Sequence, residues 1–199
     1  LVASIDWKQY IQGNPILVTA TSKKSLLSST PTIQSITKKS IVKKLLNGKD
    51  MQLPEDHSQA PVEIFVHIED NECVILLNTT GDPLYKRGYR QETGEAPINE
   101  SLAAGLLLLS GWKFNEPLYD FFCGSGTIVI EAALLAKNIA PGLLRTFAFE
   151  QFAWYDPVLL EKEIAFAQSK IMTDREHHIF ASDLDPKMIQ IAKNNAKNA

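Results

Sequence analysis

The chain has 199 residues, 45% of them apolar, which is enough for one large domain or two small ones with ordinary packed cores. The longest apolar stretch, near residues 106–109, falls far short of the roughly 20 residues that cross a bilayer, and the amino terminus has no basic segment leading into an apolar run, so neither a membrane span nor export is expected. Two cysteines, Cys73 and Cys123, are too few for a disulfide scaffold or a cysteine-rich zinc site, which makes a reducing cytoplasm the default compartment.

The net charge of -3 conceals an asymmetry, with eight lysines against four acids in residues 1–60 and twelve basic against nineteen acidic residues after them. A basic front suits contact with a polyanion, because lysine-phosphate contacts release counterions. A solvated lysine face accounts for the same numbers. Residues 15–21 (PILVTAT) read as a strand, and residues 33–46 read as a helix with Ile33, Ile36, Ile41 and Leu45 on its apolar side. Lys38, Lys39, Lys43 and Lys44 fall largely on the other side and are the first candidates for RNA contact. Two alternating runs, 62–68 and 72–78, hinge at Asp70-Asn71 like a hairpin. Residues 1–80 thus form a small α+β unit.

Residues 81–98 are polar and rich in turn formers, and are taken as a linker. Within it LYKRGYR sets Lys86, Arg87 and Arg90 beside two tyrosines, a grouping that can stack on and neutralise single-stranded nucleic acid or serve as an ordinary tethered connector. From Asn99 an apolar helix runs to Gly111. A strand at 117–119, a glycine loop, a helix at 127–137, a helix starting at Asp156-Pro157, a strand at 179–182 and a helix capped by Asp185-Pro186 follow. Strand, glycine loop, helix, insertion, strand, acid and helix make the opening of a doubly wound α/β sheet. Such sheets need more strands than these, so the chain is expected to be part of something longer.

The chemical signal lies in Asp120, Phe121, Phe122, Cys123, Gly124, Ser125, Gly126 and Thr127, placed between a strand and a helix. The two glycines permit a sharp turn and close approach of a ligand to main chain. Val129 stands where a dinucleotide fingerprint has its third glycine, and no Gly-Lys-Ser/Thr follows, so nicotinamide and ATP readings lose ground. Asp120 is poorly placed for a pyrophosphate but suits a ligand with an ammonium group and no phosphate, such as S-adenosylmethionine. At the end of the next strand Asp183 can accept hydrogen bonds from both ribose hydroxyls of a nucleoside, and Asp185 reads as a helix cap. Cys123 reads as loop packing, Glu131 as a residue able to reach the linker or favour its helix terminus, and Trp154 and Tyr155 as covering the pocket or packing in the insertion. The histidines His57, His67, His177 and His178 are scattered, and no metal site is expected.

At these residues the chain resembles the bacterial THUMP-domain methyltransferases that modify guanine N2 of 23S ribosomal RNA, a family often labelled adenine-specific DNA methylases. The resemblance is carried by Ile5-Asp6-Trp7, LYKRGYR, residues 94–100 with Leu102-Ala103-Ala104, residues 120–132 and residues 181–186, in order along nearly the whole chain. It implies a partial THUMP-type RNA-binding domain in residues 1–80 and the start of a Rossmann-like class I methyltransferase domain in 99–199. It further implies that Pro97, Asn99 and Glu100 lie beside the methionine end of S-adenosylmethionine, that Asp120, Cys123, Gly124, Ser125, Gly126 and Thr127 form the cofactor loop, and that Asp183 holds the ribose.

Two departures stand out. Phe121 replaces the family's usual proline, and the Asn/Asp-Pro-Pro-Tyr/Phe catalytic motif is nowhere in these 199 residues, so no catalytic residue is assigned and the chain alone is not expected to turn over. The expected partner is large-subunit ribosomal RNA. Transfer RNA or adenine N6 of DNA as substrate, a non-catalytic RNA-binding or assembly module, and a nicotinamide-dependent dehydrogenase are the alternatives.

Overall fold

The computed structural model describes every residue except Asp50, Gln52 and Arg175. It divides into two units, Leu1–Gly81 with Phe147–Asp156, and Asp82–Thr146 with Pro157–Ala199.

In the first unit β1 (Ile16–Lys23) leads through α1 (Thr30–Leu45) to β2 (Val62–Glu69), which turns back as β3 (Glu72–Leu77). The sheet order is β1-β2-β3, with β1 and β2 parallel and β2 and β3 antiparallel. Because side chains alternate across a strand, the register that sets Ile16 beside Val62 and Val18 beside Ile64 turns these residues, with Val66 and Ile68, to one buried face. Ile33 and Ile41 of α1, Trp7, Ile11 and Phe152 complete that core. The hinge at Asp70-Asn71 is a two-residue turn with both residues at positive φ, 49° and 64°, as a type I′ hairpin requires.

One detail of α1 differs from expectation. Ile36 is 62% exposed, and the buried stripe is Ile33, Thr37 and Ile41. At 3.6 residues per turn, Ile36 lies about 100° from the middle of that stripe, so the sheet cannot cover it.

The segment Phe147–Asp156 also belongs to this unit. Buried Asn14 holds it there, its Nδ2 donating to Gln151 Oε1 at 2.9 Å and to the Ala60 carbonyl at 3.1 Å, while its Oδ1 accepts from the Gln12 N–H. Trp154 packs on Phe152 and Tyr155 on Phe149, with ring centroids 5.6 and 5.8 Å apart.

The second unit runs α2 (Glu100–Leu109), β4 (Leu118–Asp120), α3 (Thr127–Ala136), α4 (Pro157–Ser169), β5 (Ile179–Ala181) and α5 (Pro186–Asn198). β4 and β5 pair in parallel, Leu118 beside Ile179 and Asp120 beside Ala181. This is the strand-helix-strand opening of an α/β doubly wound sheet. Helix α3 touches α2, both strands and α5, and buries Thr127, Ile130, Glu131, Ala132, Leu134 and Ala136. Its neighbours start at good caps. Asn99 Oδ1 accepts from Ser101 and Leu102 N–H groups ahead of α2, and Asp185 Oδ1 accepts from Lys187 N–H ahead of α5, where Pro186 fills a first-turn position. No helix among the described residues is long and apolar enough to cross a membrane.

Candidate functional site

Strand β4 ends at Asp120, whose Oδ1 accepts from the Phe122 N–H at 3.1 Å and so starts the turn. Main-chain bonds then join the turn to the end of β5. Ser182 N–H donates to the Asp120 carbonyl at 2.8 Å, and Cys123 N–H donates to the Ser182 carbonyl at 3.0 Å. The last stitch is made by a side chain, since the Gly124 N–H donates to Asp183 Oδ2 at 2.9 Å. The glycine loop and the acid of the next strand, read from the sequence as two separate signals, are therefore in direct contact. The other Asp183 oxygen accepts from Asp185 N–H at 3.0 Å. These N–H groups, Asp185 first and Gly124 second, hold the Asp183 carboxyl below the usual carboxylate range. Each oxygen still has a lone pair for a further donor.

Gly124 and Gly126 both sit at positive φ, 52° and 85°. A Cβ at Gly124 would meet open space, whereas one at Gly126 would come within 2.9 Å of Ala192 Cβ on α5. Gly126 thus lets α5 pack against the loop, and Gly124 leaves its outer side bare. Cys123 is buried, and burial together with the nearby Asp120 and Asp183 carboxylates pushes its thiol pKa up, the opposite of what activates a nucleophile. Phe121 stacks on Tyr119 at 6.0 Å, and Tyr119 on Phe180 at 4.9 Å, so the residue standing at the family's proline position joins an aromatic row on the sheet.

Behind the loop lies a layer the sequence reading missed. Arg90 Nη2 donates to the Ile98 carbonyl at 2.7 Å and to Thr127 Oγ1 at 3.0 Å, and lies 3.3 Å from the carboxylate of buried Glu100. Buried Asn195 of α5 donates to the Ser125 and Glu92 carbonyls at 3.1 and 3.0 Å and accepts from Gln91 N–H at 3.2 Å. Tyr89 donates its hydroxyl proton to Glu131 Oε1 at 3.0 Å, with Arg87 Nε 3.5 Å from the same oxygen. Burial raises the Glu131 pKa, against the opposing pull of Arg87, and raises that of Tyr89, with the Glu131 carboxylate adding to it.

The structure places two of the basic residues expected to meet RNA largely away from solvent. The side chains of Arg87 and Arg90 are only 14% and 11% exposed and point into the domain toward Glu131 and Glu100. Burying a guanidinium is tolerable only beside such an acid, which is why they turn inward. Lys86 is exposed and pairs with Asp82 at 3.0 Å. In the other unit Lys39, Lys43 and Lys44 are exposed on α1, while Lys38 bonds Glu55 and the Ile16 carbonyl, each at 2.9 Å. Glu55 is held below its usual pKa chiefly by that lysine. Lys38, Lys39, Lys43, Lys49 and His57 line a cavity of about 1070 Å³ beside α1. Pro97 is exposed, next to the capping Asn99 and the buried Glu100.

Comparison with known proteins divides the chain near the same junction, with residues 147–156 on the methyltransferase side. Residues 1–78 match the THUMP domain model and residues 87–199 the model described as RMKL-like, methyltransferase domain. "Putative RNA methyltransferase YpsC" of Bacillus subtilis (strain 168) is 42% identical over 199 residues, covering 98% of this chain and 51% of that protein. "Ribosomal RNA large subunit methyltransferase K/L" of Shewanella sp. (strain W3-18-1) is 38% identical over 167 residues, 81% of this chain and 24% of that protein. A solved structure described as "SMU.472, a putative methyltransferase complexed with SAH" matches with a TM-score of 0.87 at 40% identity, over 99% of this chain and 52% of its own. The chain spans about half the length of YpsC and of SMU.472. With more than half of its residues in the matching methyltransferase model, and a THUMP domain ahead of them, the chain belongs to the RMKL-like methyltransferase domain family.

Proposed function

We propose that the full-length protein transfers a methyl group from S-adenosylmethionine to RNA, at guanine N2 of large-subunit ribosomal RNA, and that this chain supplies the cofactor cradle and part of the RNA grip. The observation that carries the reading is the 2.9 Å bond from Gly124 N–H to Asp183, which sets a bare main-chain turn beside a carboxylate at neighbouring strand ends. That is an arrangement suited to a phosphate-free nucleoside: sterically open main chain at Gly124 and a carboxylate at Asp183 with lone pairs left to accept from ribose hydroxyls. Asp120, Cys123, Ser125, Gly126 and Thr127 would shape the loop, and Pro97, Asn99 and Glu100 would border the methionine end. The bound cofactor supplies an electrophilic methyl on sulfonium. The chain's own contribution is orientation, which in such a transfer is most of the catalysis. The ribosomal RNA substrate draws support from the K/L relative's name and from the THUMP match.

Incubated with S-adenosylmethionine and protein-free 23S ribosomal RNA, the full-length protein is expected to yield N2-methylguanosine on nucleoside digestion. Methylated adenine, or transfer confined to transfer RNA or DNA, would overturn the substrate. Failure to bind S-adenosylhomocysteine would overturn the enzyme reading itself.

For RNA contact, the exposed Lys39, Lys43 and Lys44 are the proposed set on α1, with Lys86 in the other unit. Replacing the three α1 lysines with glutamine should lower RNA affinity and flatten the slope of log K against log salt by about two to three, given roughly 0.7 to 0.9 per phosphate neutralised. Lys38→Gln should change that slope little, because Lys38 is already paired with Glu55. Filter binding between 50 and 200 mM salt measures both, and an unchanged slope in the triple variant would return these lysines to a solvated face.

A further inference from the structure

The geometry points to Arg90 as a positioning residue for the cofactor, one that locks the segment before α2 and the glycine loop into a single frame. This rests on the cofactor reading above and goes beyond it, since Arg90 touches neither Gly124 nor Asp183. A single nitrogen, Nη2, lies within 3.3 Å of three groups from two separate stretches of chain: the Ile98 carbonyl and the Glu100 carboxylate in one, and the Thr127 hydroxyl in the other. Ile98 and Glu100 flank Asn99, the cap of α2, and Thr127 is the first residue of α3. Arg90 therefore fixes the distance between two stretches proposed to border the same ligand.

The stretch that carries Arg90 is itself pinned on both sides. Tyr89 is anchored to Glu131 of α3, and Asn195 holds Gln91 and Glu92 while its amide also grips the Ser125 carbonyl inside the loop. Residues 89–92 thus act as a backing strip, bonded to the segment before α2, to α3 and to α5. The guanidinium is desolvated, so its hydrogen bonds to Ile98 and Thr127 are of the charge-assisted kind that restrain geometry strongly. A frame held this way lowers the ordering cost that the ligand would otherwise meet on binding.

The test compares the full-length wild type with Arg90→Met, which removes the donors and keeps most of the unbranched stem, and with Thr127→Val, which keeps the shape of Thr127 and removes its hydroxyl. Both variants should bind S-adenosylhomocysteine at least tenfold and about threefold more weakly, respectively, with KM for S-adenosylmethionine rising in parallel. For Arg90→Met, KM for RNA and the salt slope of RNA binding should stay within twofold of wild type. The double variant should be no weaker than Arg90→Met alone, since both changes break one contact. Wild-type cofactor affinity in Thr127→Val would overturn the role even if Arg90→Met fails to fold. Loss of RNA affinity with unchanged cofactor binding in Arg90→Met would overturn it in favour of an RNA contact. If the wild type itself binds no S-adenosylhomocysteine, the cofactor reading falls first, whereas wild-type binding that both variants match removes this inference alone.

Discussion

Replacing Asp183 with alanine is expected to weaken S-adenosylhomocysteine binding by the full-length protein about a hundredfold. Hydrogen bonds to a charged acceptor contribute roughly 1.5 to 3 kcal/mol each, and a factor of one hundred corresponds to about 2.7 kcal/mol, so the loss of one strong or two moderate ribose bonds is sufficient. The carboxylate also organises the site before any ligand arrives, because it is the acceptor for Gly124 and Asp185 N–H groups. Asp183→Asn separates the two contributions. The amide keeps one oxygen, which can serve only one of those two N–H groups, and brings an NH₂ that would face the other donor. It should therefore bind more weakly than wild type but more tightly than the alanine variant. Since its N–H partners lower the pKa of the group, the ionised form persists through the neutral range, and wild-type affinity should not change between about pH 6 and 8 through this residue. Isothermal titration measures all three proteins, and equal affinity in Asp183→Ala would remove the residue from the ribose role.

What the sequence made legible and what it hid divide along a physical line. Features encoded by a residue and its immediate neighbours were readable: the Asp70-Asn71 turn, the helix start at Asn99, the Asp185 cap, and the two glycines that mark the loop. Each requires a local backbone conformation or a side chain bonding two residues away, so composition at that point is enough. The family was readable for a related reason, as these local signals occur in a fixed order along the chain. The burial of Arg87 and Arg90 was not readable because a sequence shows that a charge exists but not which way its side chain points, and their partners lie 44 and 10 residues away at Glu131 and Glu100.

Asn195 gave no signal at all. It is one of three asparagines in a lysine-rich terminal helix that looks solvated, yet it is buried and bonds residues 70 and about 100 positions earlier. The place of residues 147–156 was hidden in the same way, since among the bonds that hold them one joins Asn14 to Gln151 across 137 positions.

Gly126→Ala should unfold the second unit far more readily than Gly124→Ala, even though both glycines have positive φ. An alanine forced into that region costs roughly 1 to 2 kcal/mol at either position. At Gly126 the new methyl would also stand 2.9 Å from Ala192 Cβ and 3.3 Å from Ala192 Cα, contacts that no rotamer can relieve because both atoms belong to the frame of α5. Overpacking of this kind adds about 1 to 3 kcal/mol, for a total near 3 kcal/mol. In thermal terms this is a fall of roughly 10 °C for a protein of this size. Any shift of α5 that makes room would also carry Asn195, one turn further along, away from the Ser125 carbonyl it holds.

Gly124→Ala meets open space and should lose only the conformational part, about 1 to 2 kcal/mol. Its methyl would occupy the bare side of the loop where the cofactor is proposed to lie, so its main effect should be on S-adenosylhomocysteine affinity. Adding Ala192→Gly to Gly126→Ala should recover about half of the lost stability, by removing the closer of the two contacts at the expense of roughly 1 kcal/mol of helix propensity. Urea unfolding and ligand titration on the same four proteins check the pattern. Equal stability losses at the two glycines would mean that α5 does not pack on the loop as described, and unchanged affinity in Gly124→Ala would place the ligand elsewhere.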